Sequence, residues 1–135
     1  MALPRVLVID DRADDRRTVR EAAEHLGFRV QDTADAGEFR NHVLHRPPAV
    51  AVIDLIMPQV DGVELLRFLA ESGFAGDIVL LNDGDADLLA PVCSLARAYG
   101  LTVAGSVGKP LDPHDLIGVL SALRPRLAVA AGART

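Results

Sequence analysis

The sequence is short of several residue types and patterns that mark particular classes of protein. It has no tryptophan and a single cysteine, Cys93. One cysteine cannot form a disulfide within the chain, which is compatible with a reducing compartment. No apolar stretch approaches the length of a membrane span, and the N-terminus lacks a basic segment followed by an apolar one. We therefore expect a cytoplasmic protein that does not enter the membrane.

Positive charge is also scarce. Lysine and arginine together number 14 against 19 aspartates and glutamates, which gives a formal net charge of −5. Because the chain has neither a basic stripe nor an aromatic platform, direct binding to nucleic acid is not expected. Half of the 135 residues are hydrophobic and 24% are charged, and this balance is typical of one ordinary globular domain.

Five short apolar runs alternate with five helical patterns along the chain. The runs predict strands at residues 5–9, 28–31, 50–54, 78–81 and 102–107. Such alternation predicts a parallel sheet with right-handed crossovers and helices on both faces. Two strand orders are common in such sheets, and five strands with short loops favour the flavodoxin-like order. The predicted fold class is therefore α/β, a single flavodoxin-like (βα)5 doubly wound parallel sheet of strand order 2-1-3-4-5.

Capping residues predict where several helices begin and end. Gly27, Gly73 and Gly100 each follow an apolar-periodic segment and predict helix C-termini in the left-handed conformation. Asp35 with Glu38 three residues later has the spacing of a capping box, which predicts the start of the second helix.

The fourth helix contains Pro91, which would break a helix that began several residues earlier. We therefore expect this helix to start late, near Leu88 and with Asp87 as its cap. The last helix is predicted to open with Asp112 and Pro113. After Arg124 no clear periodicity remains, so residues 1–124 are predicted to form the domain, and residues 125–135 a tail or the start of a linker.

Polar side chains follow four of the five predicted strands at the point where each strand ends. Asp10 and Asp11 follow the first strand, Asp54 ends the third, Asn82 follows the fourth and Lys109 the fifth. Alone, Asp54 would be better explained as a strand end or a turn cap than as a functional acid. Because the carboxyl ends of parallel strands meet at one edge, where such sheets bind ligands, we expect these side chains to form a site.

Three carboxylates at one edge repel one another, and a cation relieves that repulsion. Mg²⁺ suits the predicted donors, because it is commonly bound by one or two carboxylates together with waters and a phosphate oxygen. Lys109 supplies a second positive charge that can hold a phosphoryl oxygen. Asp54 is then the candidate nucleophile, forming an acyl phosphate.

Three segments together resemble the receiver domain of two-component response regulators, the CheY-like family, over about residues 4–124. They are Val6 to Asp11, Ile53 to Pro58 with Asp61-Gly62, and Gly108 to Pro110. Each motif is weak alone, but the three occur in the family's order and spacing on the expected frame.

The resemblance implies that Asp54 accepts a phosphoryl group from a histidine kinase or phosphotransfer protein. It implies that Asp11, Asp54 and the backbone carbonyl of Ile56 ligate Mg²⁺, with Asp10 acting through a bound water. Lys109 would contact the phosphoryl group, and its bond to Pro110 is often cis in the family. The implied chemistry is limited to self-phosphorylation and autodephosphorylation at Asp54, so no other enzyme activity is expected.

Two positions depart from the family pattern. Asn82 stands where receivers usually carry a serine or threonine whose hydroxyl bonds the phosphoryl oxygen. Ser106 stands where they usually carry an aromatic residue that changes rotamer. The amide of an asparagine can donate a hydrogen bond to a phosphate oxygen, but its side chain is longer than that of serine or threonine. We therefore expect phosphorylation of Asp54 with a small conformational response, or one that follows another route.

Several alternatives and partners remain open at this point. The fold could serve as a phosphorylation-independent pseudo-receiver, acting as a docking or dimerisation module. A small phosphatase or flavin-binding protein is disfavoured, because a second acid two residues after Asp54 and a phosphate-binding loop after the first strand are both missing. The resemblance implies a downstream effector or a fused output domain, for which an EAL-type phosphodiesterase is one candidate. A homodimer through the fourth helix, fifth strand and fifth helix is also compatible with the family.

Overall fold

Strands and helices alternate along the whole of the described chain. The computed structural model describes residues 3–133, with side chains described as far as Leu123. The strands are β1 (Arg5–Ile9), β2 (Arg29–Thr33), β3 (Val50–Asp54), β4 (Asp77–Asn82) and β5 (Thr102–Gly108). The helices are α1 (Ala13–His25), α2 (Ala36–His45), α3 (Gly62–Glu71), α4 (Ala86–Ala98) and α5 (Pro113–Ala133).

The five strands form one parallel sheet in the order β2-β1-β3-β4-β5. This confirms the flavodoxin-like fold predicted from the alternation. Every residue of β3 and β4 is buried, as expected for central strands covered by helices on both faces. Because β1 and β3 are neighbours, with Ile9 opposite Ile53, the residues that follow β1 lie beside the end of β3.

Alternate side chains of the strands pack into two separate hydrophobic cores. Leu7 and Ile53 belong to one core, which α2, α3 and α4 cover. Val8 and Val52 belong to the other, which α1 and α5 cover. Complete burial of one such side chain stabilises the fold by about 1.5–3 kcal/mol. The two cores hold the strand ends in fixed register and so fix the positions of the residues that follow them.

Strand β5 forms one edge of the sheet and pairs with β4 through an irregularity. Ile78 pairs with Val103 but Val79 pairs with Gly105, so Ala104 is an extra residue. Gly105 lets α5 approach closely, because a Cβ atom there would lie 2.9 Å from Cγ1 of Val119. The bulge and the glycine together set how α5 lies against this edge.

The predicted glycine helix stops are confirmed. Gly27, Gly73 and Gly100 follow helices and have φ angles of 88°, 75° and 83°, a region that glycine adopts without steric cost. The strand and helix bounds differ from the predicted ones by one to a few residues. Strand β2 extends to Thr33, for example, because it continues to pair with β1 as far as Ile9.

The predicted capping box at the start of α2 forms only in part. Oδ2 of Asp35 accepts a hydrogen bond from the backbone N–H of Glu38 at 2.9 Å. The Glu38 carboxylate, however, accepts from the Thr33 hydroxyl at 2.6 Å, and that hydroxyl oxygen in turn accepts from the backbone N–H of Asp35. Thr33 thus lies between the two partners that a capping box would join directly.

The late start predicted for the fourth helix is wrong. Helix α4 begins at Ala86, because Oδ1 of Asp85 caps it by accepting from the backbone N–H of Asp87 at 2.9 Å. Pro91 therefore occupies the sixth helical position and lies inside the helix. It cannot donate a hydrogen bond to the carbonyl of Asp87, and its ring crowds that carbonyl. Proline weakens the first half of this helix.

Helix α5 begins as predicted, with the N–H of His114 donating to Oδ1 of Asp112 at 2.9 Å. It runs to Ala133, beyond the boundary predicted at residue 124. The division into a domain and a tail or linker stays a prediction, and Arg134 and Thr135 lie outside the described residues. Among residues 3–133, no helix combines the length and apolar character needed to cross a membrane.

Replacing Pro91 with alanine should stabilise the protein. Pro91 is exposed, so Pro91→Ala restores a backbone donor and removes the crowding without opening a cavity. We expect the free energy of unfolding to rise by about 1–2 kcal/mol, after allowance for the greater freedom of the unfolded chain. The measurement is urea denaturation followed by circular dichroism.

The matched control is Ser94→Ala, at an exposed position of the same helix. It should raise the free energy of unfolding by about 0.5 kcal/mol or less, through helix propensity alone. A Pro91→Ala protein no more stable than this control would show that α4 tolerates its proline without cost.

Candidate functional site

Asp54 ends β3 and lies at the centre of the candidate site. Its side chain is completely buried. The carboxylate nevertheless has a defined partner on each oxygen. Oδ1 accepts from the backbone N–H of Ile56 at 2.8 Å, and Oδ2 accepts from Nζ of Lys109 at 2.9 Å. These two donors hold the carboxylate in one orientation.

Asp10 and Asp11 lie beside Asp54, because they follow β1 in the neighbouring position of the sheet. Asp10 is completely buried, whereas Asp11 is exposed. One carboxylate oxygen from each of the three aspartates lies within 4.8 Å of the others. The sequence prediction grouped these acids, and the structure brings them together.

The environment of Asp10 disfavours its charge. Burial raises the pKa of Asp10 to about 6 and the nearby Asp54 carboxylate adds to this, although the backbone N–H of Arg12 and the Lys109 ammonium act in the opposite direction. The Arg12 N–H donates to Oδ1 of Asp10 at 2.9 Å. Without a further positive charge, this carboxyl group is therefore costly to ionise.

Lys109 follows β5 and reaches back across the site. It is the only lysine in the sequence, and its bond to Pro110 is cis. Nζ lies 3.0 Å from Asp10 Oδ2 and 2.9 Å from oxygens of both Asp15 and Asp54. Burial alone would lower the pKa of Lys109, but these three carboxylates outweigh it and raise the pKa above its usual value. Lys109 therefore carries its charge throughout the physiological range.

Asp15 was not anticipated from the sequence, yet its carboxylate contacts the same ammonium as Asp54 does. It lies in the first turn of α1. Its spacing does contain a signal: Val19, Ala22 and Ala23 follow it by four, seven and eight residues, and all three are buried. Residues at these intervals share one helix face. Asp15 is therefore on the face of α1 that packs toward the sheet.

Asn82 ends β4 at the same edge, but its amide is held by the backbone. Its Nδ2 donates to the carbonyl of Val107 at 3.3 Å, and its Oδ1 accepts from the N–H of Gly84 at 2.8 Å. The side chain is buried between the end of β5 and the following loop. Ser106 is exposed on β5. The amide therefore stabilises the turn that follows β4.

The donors present fit a small, hard divalent cation. Oδ2 of Asp10 is buried and, among the described residues, has no aligned hydrogen-bond donor. Its contact with Lys109 is an ion pair without that alignment. Such an orphaned oxygen beside two other carboxylates is the kind of donor set that Mg²⁺ prefers. The backbone of Ile56 lies at the same place, since its N–H contacts Asp54.

The chain is similar to known proteins over most of its length. The family model described as the response regulator receiver domain matches residues 6–121. The chain is 27% identical over 122 residues to the transcriptional regulatory protein GlnL of Bacillus subtilis, covering 85% of this chain and 37% of GlnL. It is 30% identical over 124 residues to the response regulator MprA of Mycobacterium sp. (strain KMS), covering 90% of this chain and 51% of MprA.

A solved structure agrees with the fold. A response regulator from Colwellia psychrerythraea superposes with a TM-score of 0.81 at 27% identity, covering 93% of this chain and 99% of that one. The chain spans about half or less of the length of the curated relatives named above. Since the family match covers most of the sequence, and the strand ends form the acidic pocket that its motifs predict, the chain belongs to the response regulator receiver domain family.

Proposed function

We propose that this receiver domain accepts a phosphoryl group on Asp54 in a two-component phosphorelay, with a histidine kinase or a phosphotransfer protein as donor and Mg²⁺ as cofactor. One observation carries the proposal. The buried Asp54 carboxylate is oriented by the Ile56 N–H and by the only lysine of the chain, directly beside two further aspartates.

Asp54 and Lys109 have different roles in the proposed phosphoryl transfer. An oxygen of Asp54 forms the new bond to phosphorus while the bond from phosphorus to the donor atom breaks. Lys109 holds an oxygen of the transferred group, since its ammonium already lies 2.9 Å from the acceptor carboxylate. Such reactions depend mainly on positioning and on neutralising charge.

The acidic residues would hold Mg²⁺ at the same place. Asp11, Asp54 and the carbonyl of Ile56 are the proposed ligands, with Asp10 acting through a water. When bound, the ion would supply positive charge that stabilises the transferred phosphoryl group. Asp10 and Asp11 in turn gain a partner for charges that would otherwise repel Asp54. Hydrolysis of the acyl phosphate by water would reset the domain, and no other enzyme activity is proposed.

The output of the domain is proposed to lie in another protein or in a fused domain. GlnL is named as a transcriptional regulator and MprA as a response regulator, and this chain matches only part of each. A receiver of this kind acts by changing its surface when phosphorylated. The proposed contact surface comprises α4, β5 and α5, either with an effector or with a second copy. An EAL-type output domain is one candidate.

The atypical residues Asn82 and Ser106 support only a small conformational change at α4 and β5 when Asp54 is phosphorylated. Asn82 is tied to Val107 and Gly84, and Ser106 offers no ring to move inward. The same contacts favour a second candidate function, a pseudo-receiver that docks or dimerises without phosphorylation. The two candidates differ in whether Asp54 reacts.

Acetyl phosphate with Mg²⁺ should add one phosphoryl group to the wild-type protein, as measured by intact mass spectrometry. Asp54→Asn should remain unmodified, because the amide is not a nucleophile under these conditions. A chelator should prevent the wild-type reaction. An unmodified wild-type protein would support the pseudo-receiver, and a modified Asp54→Asn protein would place the acceptor elsewhere.

Beryllofluoride with Mg²⁺ should produce amide chemical-shift changes that are large near Asp10, Asp54 and Lys109 but small across α4. The reason is that the Asn82 amide remains bound to the backbone, so that the site and the helix are weakly coupled. Two-dimensional ¹H–¹⁵N spectra measure both regions at once, with Asp54→Asn as the unresponsive control. Changes across α4 as large as those at the site would contradict this expectation.

Mg²⁺ should bind less tightly in acid. The pKa of Asp10 in the folded protein, about 6, lies above the ordinary aspartate value of 3.8 because the side chain is buried, so the folded metal-free protein binds this proton more readily than the unfolded chain does. Between about pH 4 and pH 6 the Asp10 contribution therefore lowers metal-free stability as pH rises. Mg²⁺ must displace the proton, and we expect about tenfold weaker apparent affinity at pH 5 than at pH 7.5.

The measurement is the rise in Tm produced by graded Mg²⁺ at the two pH values. Asp14→Asn, which alters an exposed neighbour, should keep the pH dependence. Asp10→Asn should lose it, because an amide does not titrate in this range. An affinity in the wild-type protein that is equal at both pH values would mean that Asp10 is already ionised at pH 5.

A further inference from the structure

Asp15 holds the lysine of the site from the side of α1. Its Oδ2 lies 2.9 Å from Nζ of Lys109, the same distance that separates Nζ from Oδ2 of Asp54. The side chain of Asp15 is 18% exposed, whereas that of the adjacent Asp14 is 84% exposed. Two consecutive aspartates thus have different surroundings, and only Asp15 faces the ammonium.

The Lys109 ammonium has three hydrogens and forms ion pairs with three carboxylates, of which that of Asp54 also accepts an aligned hydrogen bond from it. Oxygens of Asp10, Asp15 and Asp54 lie 2.9–3.0 Å from Nζ. A phosphoryl oxygen that approaches the ammonium must therefore replace one of these contacts or share a hydrogen with it. Phosphorylation itself removes the charge of Asp54, because the carboxylate becomes an acyl phosphate. Asp15 keeps its charge and remains a competitor.

The position of Asp15 does not depend on Lys109 alone. Its carboxylate also lies 3.5 Å from Nε of Arg12, and it belongs to the first turn of α1, where negative charge is favoured. The next residue, Arg16, donates to the backbone carbonyl of Asp10 at 2.9 Å and so ties the start of α1 to the end of β1. Asp15 is therefore a fixed negative charge at the border of the site.

We propose that Asp15 is a positioning residue for Lys109, which shares the ammonium with Asp54 and competes with the phosphoryl group for it. The proposal rests on the function proposed above. It assigns to the first turn of α1 an influence on phosphorylation that the strand-end motifs do not include. Replacing Asp15 with asparagine removes the competing charge at nearly constant shape. A phosphoryl group or its mimic then contacts the Lys109 ammonium with one fewer competing carboxylate.

The single lysine makes a direct test practical. Protein labelled with ¹³C-lysine gives one set of side-chain signals, all from Lys109, because the sequence has no other lysine. In metal-free protein, Asp15→Asn should shift the ¹³Cε signal, whereas Asp14→Asn should leave it in place. An unmoved signal in Asp15→Asn would overturn the proposal, since the contact would then be absent in solution.

The second measurement follows the same signal while beryllofluoride is added at saturating Mg²⁺. Asp15→Asn should bind the mimic about fivefold more tightly than wild type, because a charged acceptor no longer shares the ammonium. Asp14→Asn should bind as wild type does. Unchanged or weaker binding by Asp15→Asn would overturn the proposal.

The outcomes also separate this inference from the proposed function. If wild type fails to bind the mimic or to react with acetyl phosphate, the proposed function fails with the inference. If wild type binds and Asp15→Asn binds equally well, only the role of Asp15 is lost. A purely structural role for Asp15 would change Tm while leaving the affinity for the mimic at the wild-type value.

Discussion

One ammonium group compensates the buried carboxylates at the centre of this domain. Asp10 and Asp54 are completely buried, and buried charges are costly unless they are paired. The partner comes from β5, which is separated from β3 by β4. Because neighbouring strands lie about 4.8 Å apart, a residue after β5 needs a long side chain to reach Asp54. Lysine has that length, and its flexible stem crosses the end of β4.

Asn82 occupies the strand end over which Lys109 passes. Its side-chain amide forms hydrogen bonds with the backbone of Val107 and Gly84. The backbone N–H of Lys109 donates to the backbone carbonyl of Asn82 at 2.6 Å. The ends of β4 and β5 are therefore joined both by the sheet ladder and by this side chain. That arrangement holds the base of the Lys109 side chain in place.

Much of the fold and the strand-end part of the site could be predicted from the sequence, since both follow from local patterns. Alternating strands and helices specify the sheet, and parallel strands bring Asp10, Asp54 and Lys109 to one edge. Asp15 was not predicted because it lies on a helix rather than at a strand end, although its spacing to the buried residues of α1 is present in the sequence. The predicted start of α4 is two residues late because Pro91 disfavours an earlier start, whereas Asp85 caps the helix in the structure. Which cap a helix uses depends on loop geometry that sequence spacing does not determine.

The extra residue at Ala104 has a consequence for how this domain can associate with others. An exposed edge strand offers a row of backbone donors and acceptors to any chain that can lie alongside it. In β5 the spacing of that row is interrupted between Val103 and Gly105, and bulges of this kind disturb regular pairing. A strand that paired along the whole of this edge would have to accommodate the extra residue. We therefore expect recognition at this edge to use side chains and helix surfaces, which are specific to each sequence, more than the backbone that all proteins share.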